Sequence, residues 1–259
     1  MKILFYFYII LNLFWILVDD GYCQSTAETD SYQEIFIHSG LPWQSFASSA
    51  EQRQIFKLEL GSGKNVTLIM AGMHGDEHIG AELVMRFSVY AYDSLQLDST
   101  KRVILIPIMN PDGYIKNQRT NANGVDINRN FPTSNWTSKY QTKRYFPGKY
   151  PASEPETRAA IDLIRESNPA KIITVHSPLE TVNYDGPALN LARIISKLTG
   201  YPLKEYIGYP TKGSFGTYAG KELGIPTITL ELPNASLANV WKGNCTALIE
   251  AINYEPNGF

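Results

Sequence analysis

His74 and Glu77 lie three residues apart in Ala71-Gly72-Met73-His74-Gly75-Asp76-Glu77-His78, and these two side-chain types can share one metal ion. A neutral imidazole nitrogen and a carboxylate oxygen are both zinc ligands. A third ligand from elsewhere would leave one coordination position open for chemistry. The spacing matters only if the backbone brings the two side chains together. Val66-Thr67-Leu68-Ile69-Met70 reads as a buried strand, and Ile79 to Tyr92 carries Leu83, Val84 and Phe87 at helical spacing. His74 and Glu77 therefore occupy a strand-to-helix turn. Taken alone, they fit a polar turn with no ion equally well.

Partners for the pair come from a short inventory. The chain has four histidines, His38, His74, His78 and His176. His176 directly follows Ile172-Ile173-Thr174-Val175, which places it at a strand's C-terminal end, where open α/β sheets bind ligands. A core histidine bonded to backbone is the alternative. His78 makes a rival pair with His74, although helical zinc motifs of that spacing put the glutamate directly after the first histidine. Glu231 ends a further apolar run, Pro226-Thr227-Ile228-Thr229-Leu230. A carboxylate there is costly to desolvate unless it is paired, hydrogen-bonded or used. It could act as general base toward an attacking water, or it could pair with an arginine.

Asp126 has the chemistry to fix a ligand histidine through its second ring nitrogen. Arg119 and Arg129 share its irregular segment, Asn110 to Pro132. Their guanidinium forks suit carboxylates and oxyanions, or ion pairs that hold the loop.

The elements that must carry these groups follow from periodicity and turn residues. Ile35-Phe36-Ile37 reads as a short strand. Phe56–Leu60 and Val66–Met70 read as a hairpin through Gly61-Ser62-Gly63-Lys64-Asn65, and Val103–Ile108 as the next buried strand. The stretch 110–132 is long and irregular, which in a compact domain marks function. Residues 133–153 continue as a loop with Trp136, Tyr140, Tyr145, Tyr150, Lys139, Lys143, Arg144 and Lys149, either solvated surface or a rim for substrate. Ser153-Glu154-Pro155-Glu156 opens a helix, with Ser153 as its cap. Helices over 187–199, 215–223 and 235–254 and strands over 171–175 and 226–231 complete the pattern. The alternation predicts an α/β fold: a three-layer α/β/α arrangement with a mixed, mainly parallel central sheet.

Composition sets outer limits. The chain of 259 residues is 44% hydrophobic and 19% charged, with a net charge of -2, which gives no argument for nucleic acid or an acidic membrane surface. Met1-Lys2 precedes an uncharged apolar run, Ile3 to Val18, and a small-residue stretch near Gly21. This predicts a signal peptide over 1–23, hence a secreted or periplasmic protein, with an uncleaved anchor as the alternative. A flexible lead-in is expected over 24–33 and one catalytic domain over 34–259. Only Cys245 remains after cleavage behind Cys23, so cysteines do not hold the fold together. Four glycosylation sequons, at Asn65, Asn135, Asn234 and Asn244, would matter only in a eukaryotic secretory path.

Several spaced segments together resemble the zinc carboxypeptidase family. They are His74-Gly75-Asp76-Glu77, Asn110-Pro111-Asp112-Gly113, Gly124-Val125-Asp126-Ile127-Asn128-Arg129-Asn130-Phe131-Pro132, Ser153-Glu154-Pro155-Glu156 and the late His176. Gly208-Tyr209-Pro210-Thr211, Gly213-Ser214-Phe215-Gly216-Thr217 and Glu231 are similar to its bacterial murein-peptide amidase branch. The resemblance implies His74, Glu77 and His176 as ligands of one zinc ion and Glu231 as general base. It implies Arg119 at the oxyanion, Asn128 with Arg129 on the substrate's terminal carboxylate, and Asp126 behind a ligand histidine.

The implied activity is that of an exported zinc metallopeptidase cutting an amide beside a free carboxylate, between γ-D-glutamate and diaminopimelate in murein peptides. A secreted carboxypeptidase on ordinary peptides and an N-acyl amino acid deacylase are the enzymatic alternatives. A zinc-containing but inactive peptide- or wall-binding module is the non-enzymatic one, against which the presence of Glu231 argues. The chain departs from the family in two ways. Tyr209 stands about one residue out of register with the tyrosine that closes over substrate in the digestive members. The best-known amidase of the branch is cytoplasmic, whereas this chain begins with an export signal.

Overall fold

Strands rich in β-branched residues assemble into one eight-stranded sheet in the computed structural model, which describes residues 32–256. The strands are β1 (Gln44–Ser48), β2 (Gln54–Gly61), β3 (Asn65–Met70), β4 (Lys101–Ile106), β5 (Lys171–His176), β6 (Leu179–Asp185), β7 (Leu203–Lys204) and β8 (Thr227–Pro233). Their order across the sheet is β1-β2-β4-β3-β5-β8-β6-β7. The pairs β3–β4, β3–β5, β5–β8 and β6–β7 are parallel, and the other three are antiparallel.

The helices are α1 (32–38), α2 (His78–Ser94), α3 (Pro111–Ile115), α4 (Pro155–Ser167), α5 (Leu189–Thr199) and α6 (Leu237–Asn253). Side chains alternate across each central strand, so each strand feeds two cores. Ile69, Val103, Leu105, Ile173 and Val175 pack with Phe87 of α2, Ile195 of α5 and Leu248 of α6. Leu68, Met70, Ile104, Ile106 and Ile172 pack on the other face with Ile164 of α4, Phe131 and Phe215. The result is the three-layer α/β/α fold with a mixed sheet that the sequence predicts.

Four local expectations change. Ile35–Ile37 belongs to helix α1, because Tyr32 and Phe36, one turn apart, bury together against Phe56 and Ile108. The expected hairpin between β2 and β3 does not form. β4 lies between them, antiparallel to β2 and parallel to β3, so the glycine-rich turn crosses over a strand rather than joining two neighbours. Strands β1, β6 and β7 are additions to the expected pattern, because Gln44–Ser48 and Leu179–Asp185 lack a run of apolar residues and Leu203–Lys204 has only two residues. The cap of α4 is Glu154 rather than Ser153, whose hydroxyl instead donates to Glu154 Oε1 at 2.6 Å. The leader expected over 1–23 lies outside the described residues. So does most of the lead-in, of which Tyr32 and Gln33 already belong to α1. No described helix is long and apolar enough to cross a membrane.

Candidate active site

Three strand ends and one loop converge at the C-terminal edge of the parallel strands. β3 leads into the turn that carries His74 and Glu77, and α2 begins at His78. Gly75 makes this turn possible. A Cβ there would come within 2.0 Å of the Gly113 backbone, so any side chain would push the turn off its support. His176 ends β5, and the parallel register sets it directly beside Glu231 of β8. Thr181 of β6 lies on the other side of Glu231.

His74, Glu77 and His176 each offer a ligand atom, and these atoms all lie within 4.8 Å of one another. Glu77 Oε1 lies 2.6 Å from His74 Nδ1, and its Oε2 lies 2.8 Å from His176 Nδ1. The two Nδ1 atoms are 3.2 Å apart. Ring nitrogens turned toward each other and toward a carboxylate bring lone pairs face to face. A shared cation, or protons in its place, must lie among them. The donor set, two imidazoles and one carboxylate, is that of a catalytic zinc site.

His74 Nε2 faces Asp126 Oδ1 at 3.2 Å, which sets the tautomer with the proton on Nε2 and the Nδ1 lone pair toward the cluster. Asp126 is itself fully buried and is gripped by Arg119 through Nε at 3.0 Å and Nη2 at 2.9 Å. The third guanidinium nitrogen, Nη1, faces the cluster, 3.2 Å from His74 Nδ1 and 3.5 Å from Glu77 Oε1. His78 takes no part. Its ring stacks on Tyr114 at 4.4 Å, so the rival His74–His78 pair is not assembled.

Electrostatics divide the two glutamates. Burial alone would raise the Glu77 carboxyl, but His74 and His176 outweigh it and hold it well below the usual carboxylate range. Burial likewise opposes charge on His74, yet Glu77, and then Asp126, raise its affinity for a proton. Asp126 is held low against its own burial by His74 and Arg119. Glu231 moves the other way. Burial pushes its carboxyl up and the Glu77 carboxylate adds to that, while His176 and His74 oppose. Glu231 Oε2 is buried and has no hydrogen-bond partner among the described residues, and the arginine partner that sequence alone allowed is not there.

A cavity of about 720 Å3 opens over the cluster. Asn128 and Arg129 line it from a single 3₁₀ turn, Ile127–Arg129. Asn128 Oδ1 accepts from Phe215 N at 2.8 Å, so the amide NH₂ is the end left for a ligand. Arg129 Nη1 donates to the Asn128 carbonyl at 2.7 Å, which fixes the guanidinium while its other nitrogens stay available. Tyr145 lies across both arginines, its ring 5.4 Å from Arg119 Cζ and 5.8 Å from Arg129 Cζ. Tyr209 lines the same cavity, and burial raises its hydroxyl pKa.

Sequence reasoning passes over Asp185. It ends the additional strand β6 and lines the cavity together with Asn183 and Thr229. Gly216 makes room for it, since a Cβ there would meet Asp185 Oδ2 at 2.2 Å. An acid followed by Gly186-Pro187 is the available signal, but it reads equally well as a solvated turn.

Fold and site together define a hydrolase of peptide bonds, and the chain belongs to the zinc carboxypeptidase family, whose profile matches residues 41–188. Members of this family are zinc-dependent. Among curated relatives, Murein peptide amidase A of Escherichia coli (strain K12) is 34% identical over 200 residues, covering 73% of this chain and 80% of the relative. The crystal structure of murein-tripeptide amidase from Escherichia coli O157 superposes with a TM-score of 0.70 at 27% identity, over 84% of this chain and 94% of that one. Thrombin activatable fibrinolysis inhibitor shares the fold, with a TM-score of 0.71 at 20% identity over 90% of this chain and 72% of that one.

Proposed function

We propose that this chain is an exported zinc amidase that cleaves the bond between γ-D-glutamate and diaminopimelate in murein peptides. The observation that carries this reading is the placement of Asn128 and Arg129, side-chain types that suit a carboxylate, in the wall of a cavity that also holds Asp185, Asn183 and Thr229. A substrate with a free carboxylate beside its scissile amide fits Asn128 and Arg129, and an ammonium on its side chain would share Asp185 with Lys221, whose Nζ lies 3.2 Å from Asp185 Oδ1. Diaminopimelate has both groups. The likeness to murein peptide amidases supports the same substrate.

His74, Glu77 and His176 would hold the zinc ion, which when bound supplies Lewis acidity at the scissile carbonyl and lowers the pKa of the attacking water. Glu231 takes the water's proton on Oε2 and delivers it to the leaving amine. Its raised pKa suits both halves of that transfer. Arg119 Nη1 stabilises the developing oxyanion, and the Asp126 pair keeps that nitrogen aimed. Asn128 and Arg129 hold the terminal carboxylate, and Tyr209 lies over the bound substrate.

Mass spectrometry of products tests the reading, with murein tripeptide and a hippuryl-phenylalanine substrate offered side by side. Release of diaminopimelate, with little hydrolysis of the aromatic substrate, is the expected result. Strong preference for the aromatic substrate would refute the assignment and leave a secreted carboxypeptidase standing.

A further inference from the structure

The loop over 133–153 leaves a second opening beside the catalytic cavity. A groove of about 530 Å3 is lined by Arg119, Thr120, Asn123, Tyr140, Lys143 and Arg144 among others, with no carboxylate in its wall. Arg119, Tyr140 and Arg144 line the catalytic cavity as well, so the two spaces adjoin. Two of the three cations are matched by acids. Arg119 is paired with Asp126, and Arg144 Nη2 lies 3.1 Å from Asp76 Oδ2. Asn123 donates to the buried Glu154 Oε2 at 2.8 Å. Lys143 is exposed and has no ion pair among the described residues, so it gives the groove one positive charge in excess.

The groove also has a direction. Its wall includes Arg119 but none of Asn128, Arg129, Tyr209 or Asp185. With the leaving group's carboxylate on Asn128 and Arg129 and the scissile carbonyl at Arg119, the groove receives the other half of the substrate. We infer that it is a subsite for a carboxylate on the acyl side of the scissile bond, with Lys143 as its recognition residue. The inference rests on the hydrolase reading above and adds the acyl-side charge to it. A γ-linked D-glutamyl residue carries its free α-carboxylate on this side, close to the bond that breaks. Because Lys143 is exposed, the preference is modest and weakens with salt.

The test measures kcat/KM for the zinc-loaded wild type, Lys143→Gln and Lys143→Glu on two matched substrate pairs. One pair is a γ-D-glutamyl-diaminopimelate peptide with its α-carboxylate free or amidated. The other is an ordinary peptide with glutamate or glutamine before the C-terminal residue. The wild type should favour the acidic member about 2–5-fold at low salt. Lys143→Gln should bring the ratio close to one, and Lys143→Glu should reverse it. The less favoured member of each pair reports whether the variant is folded. A wild-type ratio near one, or a ratio that neither variant moves, overturns the subsite. Discrimination in the ordinary pair with no cleavage of the γ-linked pair would instead refute the murein reading and leave the subsite in place.

Discussion

Glu231 Oε2 is a buried carboxylate oxygen at the candidate metal cluster with no hydrogen-bond partner among the described residues. A carboxylate kept for stability would be expected to have an arginine or a set of donors. Among the described residues Glu231 has no ion-pair partner and a single backbone hydrogen bond, from Leu179, and it stands beside His176 on the neighbouring strand. The Glu231→Gln enzyme keeps the volume and can still hydrogen-bond, but it cannot accept a proton. Its zinc content should match the wild type, while kcat falls by about 10²-fold or more, the usual scale for a positioned base. Single-turnover and steady-state rates check this, and near-normal turnover would assign proton transfer elsewhere. At this scale the sequence is highly informative. His74, His176 and Glu231 each follow an apolar run and Glu77 stands three residues beyond His74, so residue type and position both mark them. Asp185 is hidden because the strand before it, Leu-Glu-Thr-Val-Asn-Tyr, alternates weakly and exposes its first residues.

β5 carries chemistry at one end and a cost at the other. His176 closes the strand at the site, while Lys171 opens it at the opposite edge, fully buried, with Nζ donating to Asn65 Oδ1 at 2.7 Å. Burial, with Lys101 nearby, pushes the Lys171 ammonium down to about 8. Between about 8 and the unfolded value near 10.4, the unfolded chain binds more protons, so rising pH favours the folded state through this group. Below about 8 the native state must bury the charge. Compared with Lys171→Met, the wild type should therefore gain relative stability between pH 8 and about 10.4, by ~1.4 kcal/mol for each pH step of one at most. Denaturant titrations at about pH 7, 8.5 and 10 would show it, and a pH-independent difference would contradict it.

Elements are less legible than residues. The buried strands β3, β4, β5 and β8 and the long helices announce themselves through unbroken or periodic apolar residues. β1 has no such run, and α1 reads as a strand because a three-residue apolar window has no period.

At the scale of the molecule, the sheet order β1-β2-β4-β3-β5-β8-β6-β7 brings together groups that are far apart in the chain. The parallel neighbours β3, β5 and β8 end at one edge, so strand pairing brings His74, Glu77, His176 and Glu231 together from segments far apart in the chain. Layering is readable from the alternation of strands and helices. Strand pairing is not, because inserting β4 between β2 and β3 is decided by two-sided burial of β3 and by the crossover through α2, and the turn sequence is silent on both. The function proposed for this protein stands on that convergence being a metal site. Metal analysis of purified wild type, His74→Ala, His176→Ala, His78→Ala and Glu231→Gln tests it most directly. About one zinc per chain is predicted in the wild type, His78→Ala and Glu231→Gln, and loss of zinc in His74→Ala and His176→Ala. Full zinc retention in both of those last two variants would contradict it.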